Sequence, residues 1–143
     1  MKKLFCVLLL IGLFVGTASV ASAAEWEFIG RKDGESWVFN TRSFKKTGNT
    51  TYFVWIITKH SEEKGKALAE EFQLKAPVAS TFNKYEFNFR DEMFRLLSAE
   101  YYDKDNNVLL SSELPSDWNS IPPGSAGALM LKTTYDYYEK HYQ

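Results

Sequence analysis

Several stretches alternate apolar and polar residues with a period of two, and one late stretch repeats with a period near 3.6. "KYEFNF", Lys84 to Phe89, is the clearest alternation, with Tyr85, Phe87 and Phe89 on one face and Lys84, Glu86 and Asn88 on the other. That pattern predicts a half-buried antiparallel strand. "EWEFIGR" and "SWVFN" predict two more strands around the turn "KDGE", and Trp37 shares a face with Phe39. "TTYFVWIITK", Thr50 to Lys59, is apolar on both faces, with Tyr52, Val54 and Ile56 on one and Phe53, Trp55 and Ile57 on the other. It reads as a central strand covered at least partly on both sides. "MFRLLSAEYY" and "VLLSSEL" follow as strands, separated by the turn "DKDNN". Turns this short join only antiparallel neighbours, so about six strands form a meander.

Two segments break the alternation. Ser61 followed by Glu62 and Glu63 suits a helix start, and Leu68 and Phe72 make an i,i+4 apolar pair; Gly65 weakens the pattern and Pro77 closes it. A short helix and a mobile excursion are both open there. The second segment is "DWNSIPPGSAGALMLK", where Pro122, Pro123, Gly124 and Ser125 stop the strands. Beyond them Ala128, Leu131, Tyr135, Tyr138 and Tyr142 recur every three or four residues. They predict an α-helix over about 123–141, packed on one face of the sheet. The fold class is therefore α+β, a single six-stranded antiparallel meander with a C-terminal helix as its cover. The greasy second face of "YFVWII" calls for cover too, from the excursion after His60 or from another subunit, so a homodimer is open.

The N-terminus changes the picture of where the fold begins. Lys2 and Lys3, the apolar run Leu4 to Val15 and the small residues Ala21-Ser22-Ala23 make a signal peptide over 1–23, leaving one domain over 24–143. Twelve apolar residues are too few for an anchor, which needs about twenty. Cys6, the only cysteine, lies inside the apolar run, too early for lipid attachment, so no stable membrane anchor is read. Residues 24–143 then hold no thiol for disulfides or metal. Removal of Lys2 and Lys3 leaves 15 basic against 18 acidic side chains, a balance that argues against a nucleic-acid partner.

Resemblance enters through motif order. "YEFNFRDEMFRLLSAEYYD", then "W-x-x-I-P-P-G-S" from Trp118, with "FNTRSF" and "FVWII" upstream, resembles the surface-adhesin protein E-like family of exported Gram-negative proteins. The resemblance implies a six-stranded sheet with the helix on its concave face, and attachment to host matrix or serum proteins at the cell surface. A periplasmic protein with an envelope partner stays open beside that reading, as does a small enzyme with a pocket between helix and sheet. Many family members carry cysteines where this chain has Phe89 and near Tyr135, and the pair there staples helix to sheet. The resemblance thus implies that Phe89 and Tyr135 pack together in place of the disulfide.

Chemistry-bearing clusters are few. "DKDNNV" begins like a calcium loop, but Val108 stands where glycine is needed and Leu114 where a glutamate is needed, so no metal is expected. His60 and His141 read as surface residues, no Gly-x-Ser-x-Gly elbow is present, and Asp91-Glu92 falls in a turn; no catalytic residue and no cofactor is expected. Arg95 sits among Met93, Leu97 and Tyr101, where it needs a carboxylate or an edge with water. Trp26, Trp37, Trp55 and Trp118 come from different strands and read as core before they read as a sugar platform. Lys45, Lys46, Lys64 and Lys66 are weak candidates for a binding patch, diluted by Glu62 and Glu63.

Overall fold

The computed structural model describes residues 25–112 and 115–143. The signal-peptide reading and the expected end of the last strand at Glu113 and Leu114 lie outside them. Six long strands form the meander: β1 (Trp26–Lys32), β2 (Glu35–Asn40), β4 (Thr51–His60), β5 (Ser80–Asn88), β6 (Met93–Tyr102) and β7 (Val108–Ser112), in the order β1-β2-β4-β5-β6-β7. Among the described residues the sheet counts eight strands and not six, because β3 (Lys45–Lys46) pairs with β4 and β8 (Asn119–Ser120) pairs with β6. Both additions are two residues long, too short to leave an alternation in the sequence.

Local chemistry sets the corners. Asp33 and Gly34 both take positive φ, 49° and 82°, as a two-residue turn matched to the sheet twist requires. Bulges interrupt the register at Ile29 and at Leu97. The second one matters for Arg95. Leu97 falls between the pairs Tyr85↔Leu96 and Lys84↔Ser98, so Tyr101 points to the face opposite Arg95.

The excursion is a helix, α1 (Glu62–Glu71), capped by Ser61 Oγ, which accepts the Lys64 N–H at 3.2 Å. Gly65 is buried in it because a Cβ there would overlap the Val78 carbonyl oxygen. This helix does not cover the second face of β4. Phe72 meets Tyr101, and Leu68 faces Trp37, Thr58 and Tyr85, all on the same face as the C-terminal helix.

That C-terminal helix, α2, spans Ala126–Tyr142 and starts later than residue 123. Pro122 to Ser125 form the corner, with Gly124 at φ 79° and Ser125 Oγ accepting the Ala128 N–H at 3.2 Å. Its buried line is Met130, Leu131, Thr134 and Tyr138, rotated from the expected stripe. Thr134 is admitted because its hydroxyl lies 2.8 Å from the Tyr52 hydroxyl. Tyr52 also stacks on Tyr138 at 4.5 Å, and the Phe89 and Tyr135 rings lie 4.7 Å apart. Phe39, Tyr52, Phe87 and Tyr138 are all at most 2% exposed, each contributing about 1.5–3 kcal/mol by burial. Phe44, from an expected connection, is buried against Phe39, Tyr52, Tyr137 and Tyr138. Two far segments meet at one residue: Thr41 N–H donates to the Glu25 carbonyl at 2.6 Å, and Tyr142 Oη donates to the Thr41 carbonyl at 2.7 Å.

Candidate functional site

Strand parity divides the long strands into a face under α2 and an outer face on which, among the described residues, no helix lies. Register places Phe28, Val38, Phe53, Trp55, Ile57 and Phe82 on the outer face. Phe53 and Trp55 are half-buried, and Phe28 is exposed. Register also puts Arg31, Lys45, Lys59, Lys84 and Arg95 there, against two carboxylates, Glu86 and Glu100. Both acids are engaged. Glu86 accepts from Arg95 Nε at 2.8 Å and from Thr47 Oγ1 at 2.7 Å, and Glu100 accepts from the Tyr102 hydroxyl at 2.6 Å. Lys84 instead sets its ammonium 4.0 Å from the Phe53 ring centre and 5.9 Å from that of Trp55. The ammonium thus lies over the Phe53 ring as a cation–π contact and leaves both rings half-buried. Arg31 lies 5.5 Å from the Phe28 ring in the same way.

The expected residues separate on this frame. Lys45 lies opposite Phe53 on the outer face, whereas Lys46 lies opposite Tyr52 and so points the other way. Lys64 and Lys66 belong to α1, with Lys66 3.9 Å from Glu62. They form no patch with Lys45. Arg95 is held between Glu86 and the Trp118 ring, 4.8 Å away. Trp26, Trp55 and Trp118 lie on the outer face or its rim, and Trp37 alone is core, 3% exposed. Lys59, Lys84 and Arg31 were not singled out in the sequence, although the alternation through Trp55 and "KYEFNF" carries the first two.

The inner face holds a different feature. A cleft of about 460 Å³ opens between the sheet, α1 and the first turn of α2. His60, expected at the surface, lines it with a side chain only 4% exposed. Its parity with Tyr52, Val54, Ile56 and Thr58 was the signal that it faces inward. His60 Nδ1 lies 3.0 Å from Glu35 Oε2, and Nε2 lies 2.7 Å from Thr81 Oγ1. Burial lowers the imidazole pKa, with Glu35 opposing and Lys64 adding to the drop. The ring is therefore neutral at pH 7, with Nδ1–H donated to Glu35 and Nε2 accepting from Thr81. Connectivity of this kind can serve a nucleophile and its base. Thr81, however, lies inside a strand paired on both sides, so the surrounding N–H groups serve the ladder and not a developing oxyanion. His141 is exposed and stacks on Tyr137 at 4.1 Å. Among the described residues no cluster of histidine, cysteine and carboxylates has the makings of a metal site, and none of the helices is long and apolar enough to cross a membrane.

Comparison with known proteins follows the same outline. A family model described as surface-adhesin protein E matches residues 26–134. Protein E of Haemophilus influenzae has a similar structure: one structure has a TM-score of 0.53 at 9% identity, covering 84% of this chain and 90% of that one. A second crystal form gives 0.52 at 11% identity, covering 75% and 83%. Identities this low speak for the fold alone. No curated protein matches the chain in sequence. The family match spans every long strand and the first half of α2, and on that ground the chain belongs to the surface-adhesin protein E family.

Proposed function

We propose that the chain is an exported, non-enzymatic binding domain that holds an acidic segment of a protein partner against the outer face of its sheet. The observation that carries this reading is the charge of that face. Five cations stand there against two engaged carboxylates, in a chain whose formal net charge is −1. A basic, ring-lined patch on an acidic molecule steers acidic partners to one place. Half-buried Trp55 and Phe53 supply the apolar contact that a flat charged surface lacks. Family membership supports a host matrix or serum protein as the partner and the cell surface as the location. An envelope partner in the periplasm is the other outcome of the same test.

Protease shaving of intact cells, with a tag after Gln143 and a periplasmic control, separates the two locations. Binding of the exported protein to immobilised matrix and serum proteins is then compared with that of a Lys59→Glu/Lys84→Glu variant. At least a tenfold loss for the variant, together with weakening of the wild type by salt, is expected. Equal binding by both proteins overturns the outer face as the site.

A further inference from the structure

The cleft on the inner face carries an inference separate from the outer face. We infer that it is a binding site for a small organic cation, an amine carried on an apolar body. Asn83 and Thr58 are each 6% exposed, yet neither side chain makes a hydrogen bond to another described residue. Neither is sealed away, since no polar side-chain atom of the described residues is both buried and unpartnered. Their free polar atoms therefore open onto the cleft. A carboxamide with both its donor and its acceptor unpaired within the protein, and turned to an accessible cleft, is ready to bond the polar atoms of a guest.

The charge of the walls selects the guest. Among the described residues Glu35 is the only formally charged one lining the cleft, and His60 beside it is neutral. Glu35 Oε2 is used by His60, and Oε1 is left as a free acceptor. No Lys or Arg of the described residues lines the walls. Lys64 is felt at His60 from α1, and Lys32 is spent on the Gly124 carbonyl at 3.3 Å. The first turn of α2, at Ser125 to Gly127, favours an anion; its Ala128 N–H is taken by Ser125 Oγ, and a carboxylate control tests the N–H groups of Ala126 and Gly127. The rings of Trp37, Tyr85, Phe94 and Tyr101 also line the cleft. Rings together with one carboxylate make a site for a cation with an apolar body.

Register gives the orientation. Glu35, Thr58 and Asn83 fall on three successive inward rows of the sheet, through the pairs Glu35↔His60, Trp37↔Thr58 and Ile56↔Asn83. The ammonium group sits at Glu35 and Thr58. Asn83 receives the next polar atom of the guest, and the apolar body lies under Met130 and Ile121 toward Phe94.

The test uses the exported protein with 2-phenylethylamine as probe and 3-phenylpropionate, a similar body bearing the opposite charge, as control. Amide and indole NMR shifts follow the titrations. The amine is expected to bind with Kd below about 1 mM, moving the signals of Trp37, Thr58 and Asn83, and at least tenfold more tightly than the carboxylate. Glu35→Gln still accepts from His60 and so keeps the fold, and it is expected to weaken amine binding at least tenfold. Thr58→Val provides a second variant of unchanged shape, with a smaller loss expected. A carboxylate that binds as well as the amine, amine binding untouched by Glu35→Gln, or shifts confined to the outer face each overturn the inference. So does the lack of any shift at the cleft with 10 mM of the amine, a concentration about tenfold above the expected Kd.

Discussion

Replacing Tyr52 by phenylalanine takes one oxygen from a place that water does not reach. Tyr52 and Thr134 are both 0% exposed, and their hydroxyls are 2.8 Å apart. Thr134 Oγ1 also lies 2.8 Å from the Met130 carbonyl, which only accepts. The Thr134 proton therefore goes to Met130, and the Tyr52 proton goes to Thr134. This direction makes the two single substitutions unequal. Tyr52→Phe leaves the Thr134 donor satisfied and loses one neutral hydrogen bond, a cost of about 1 kcal/mol. Thr134→Val strands the Tyr52 O–H in a dry site, costing about 1–3 kcal/mol. The double variant removes both polar groups together and is expected to be at least as stable as Thr134→Val alone, with a coupling of about 1 kcal/mol or more. Urea unfolding at pH 7 reads all four proteins through their midpoints, provided the m-values agree. A Thr134→Val no less stable than Tyr52→Phe would show that the assigned direction of the hydrogen bond is wrong, and strictly additive effects would show that the two hydroxyls do not interact.

Other tests probe separate links. Phe89→Ala and Tyr135→Ala, combined in a double-mutant cycle, are expected to couple by about 0.5–1.5 kcal/mol; zero coupling in unfolding midpoints would mean the ring contact does not tie helix to sheet. Because the folded His60 pKa lies below its unfolded value, the unfolded chain binds the extra proton first as pH falls. The stability that His60 contributes is thus complete above about pH 6.5 and is lost as pH drops toward the folded pKa. Melting temperatures of wild type and His60→Gln across pH 4–8 should show the wild type losing more over that window, and parallel curves would contradict the assignment. Gly65→Ala drives a methyl group into the Val78 carbonyl. It is expected to cost about 1–3 kcal/mol and to speed hydrogen exchange across α1; unchanged exchange would mean α1 shifts without strain.

How far the sequence reveals this molecule depends on whether a residue's partner is near in the chain. Alternation assigns the inward side chains from Tyr52 to Ile56 and from Tyr85 to Phe89, but His60 and Asn83 lie just beyond the stretches read as strands, and extending the same parity by a few residues turns both inward. What it hides is Glu35, the partner that makes a buried His60 tolerable, because that carboxylate comes from another strand. Thr134 is obscured in the same way. A threonine is left out of an apolar stripe until Tyr52 supplies a hydroxyl from the sheet. The helix α1 was half-visible, since Ser61 announces a cap while Gly65 argues against a helix; the close Val78 carbonyl explains that glycine. Leu97 misled because a bulge reverses parity without leaving a mark in composition, and so Tyr101 appeared to share a face with Arg95. The two lysine pairs looked like one patch only because they were counted along the chain and not across the sheet.

The closure at Thr41 has a mechanical consequence. Glu25 and Tyr142 are held to the same residue, so tension drawn through these two residues enters at a single corner of the sheet. It loads the hydrogen bonds at Thr41 first and then opens β1 from Trp26 one pair at a time, as a zip opens, without shearing the ladder as a whole. A molecule pulled in this way yields stepwise, giving up its first strand and the last turn of α2 while the stacked rings around Tyr52 stay in place.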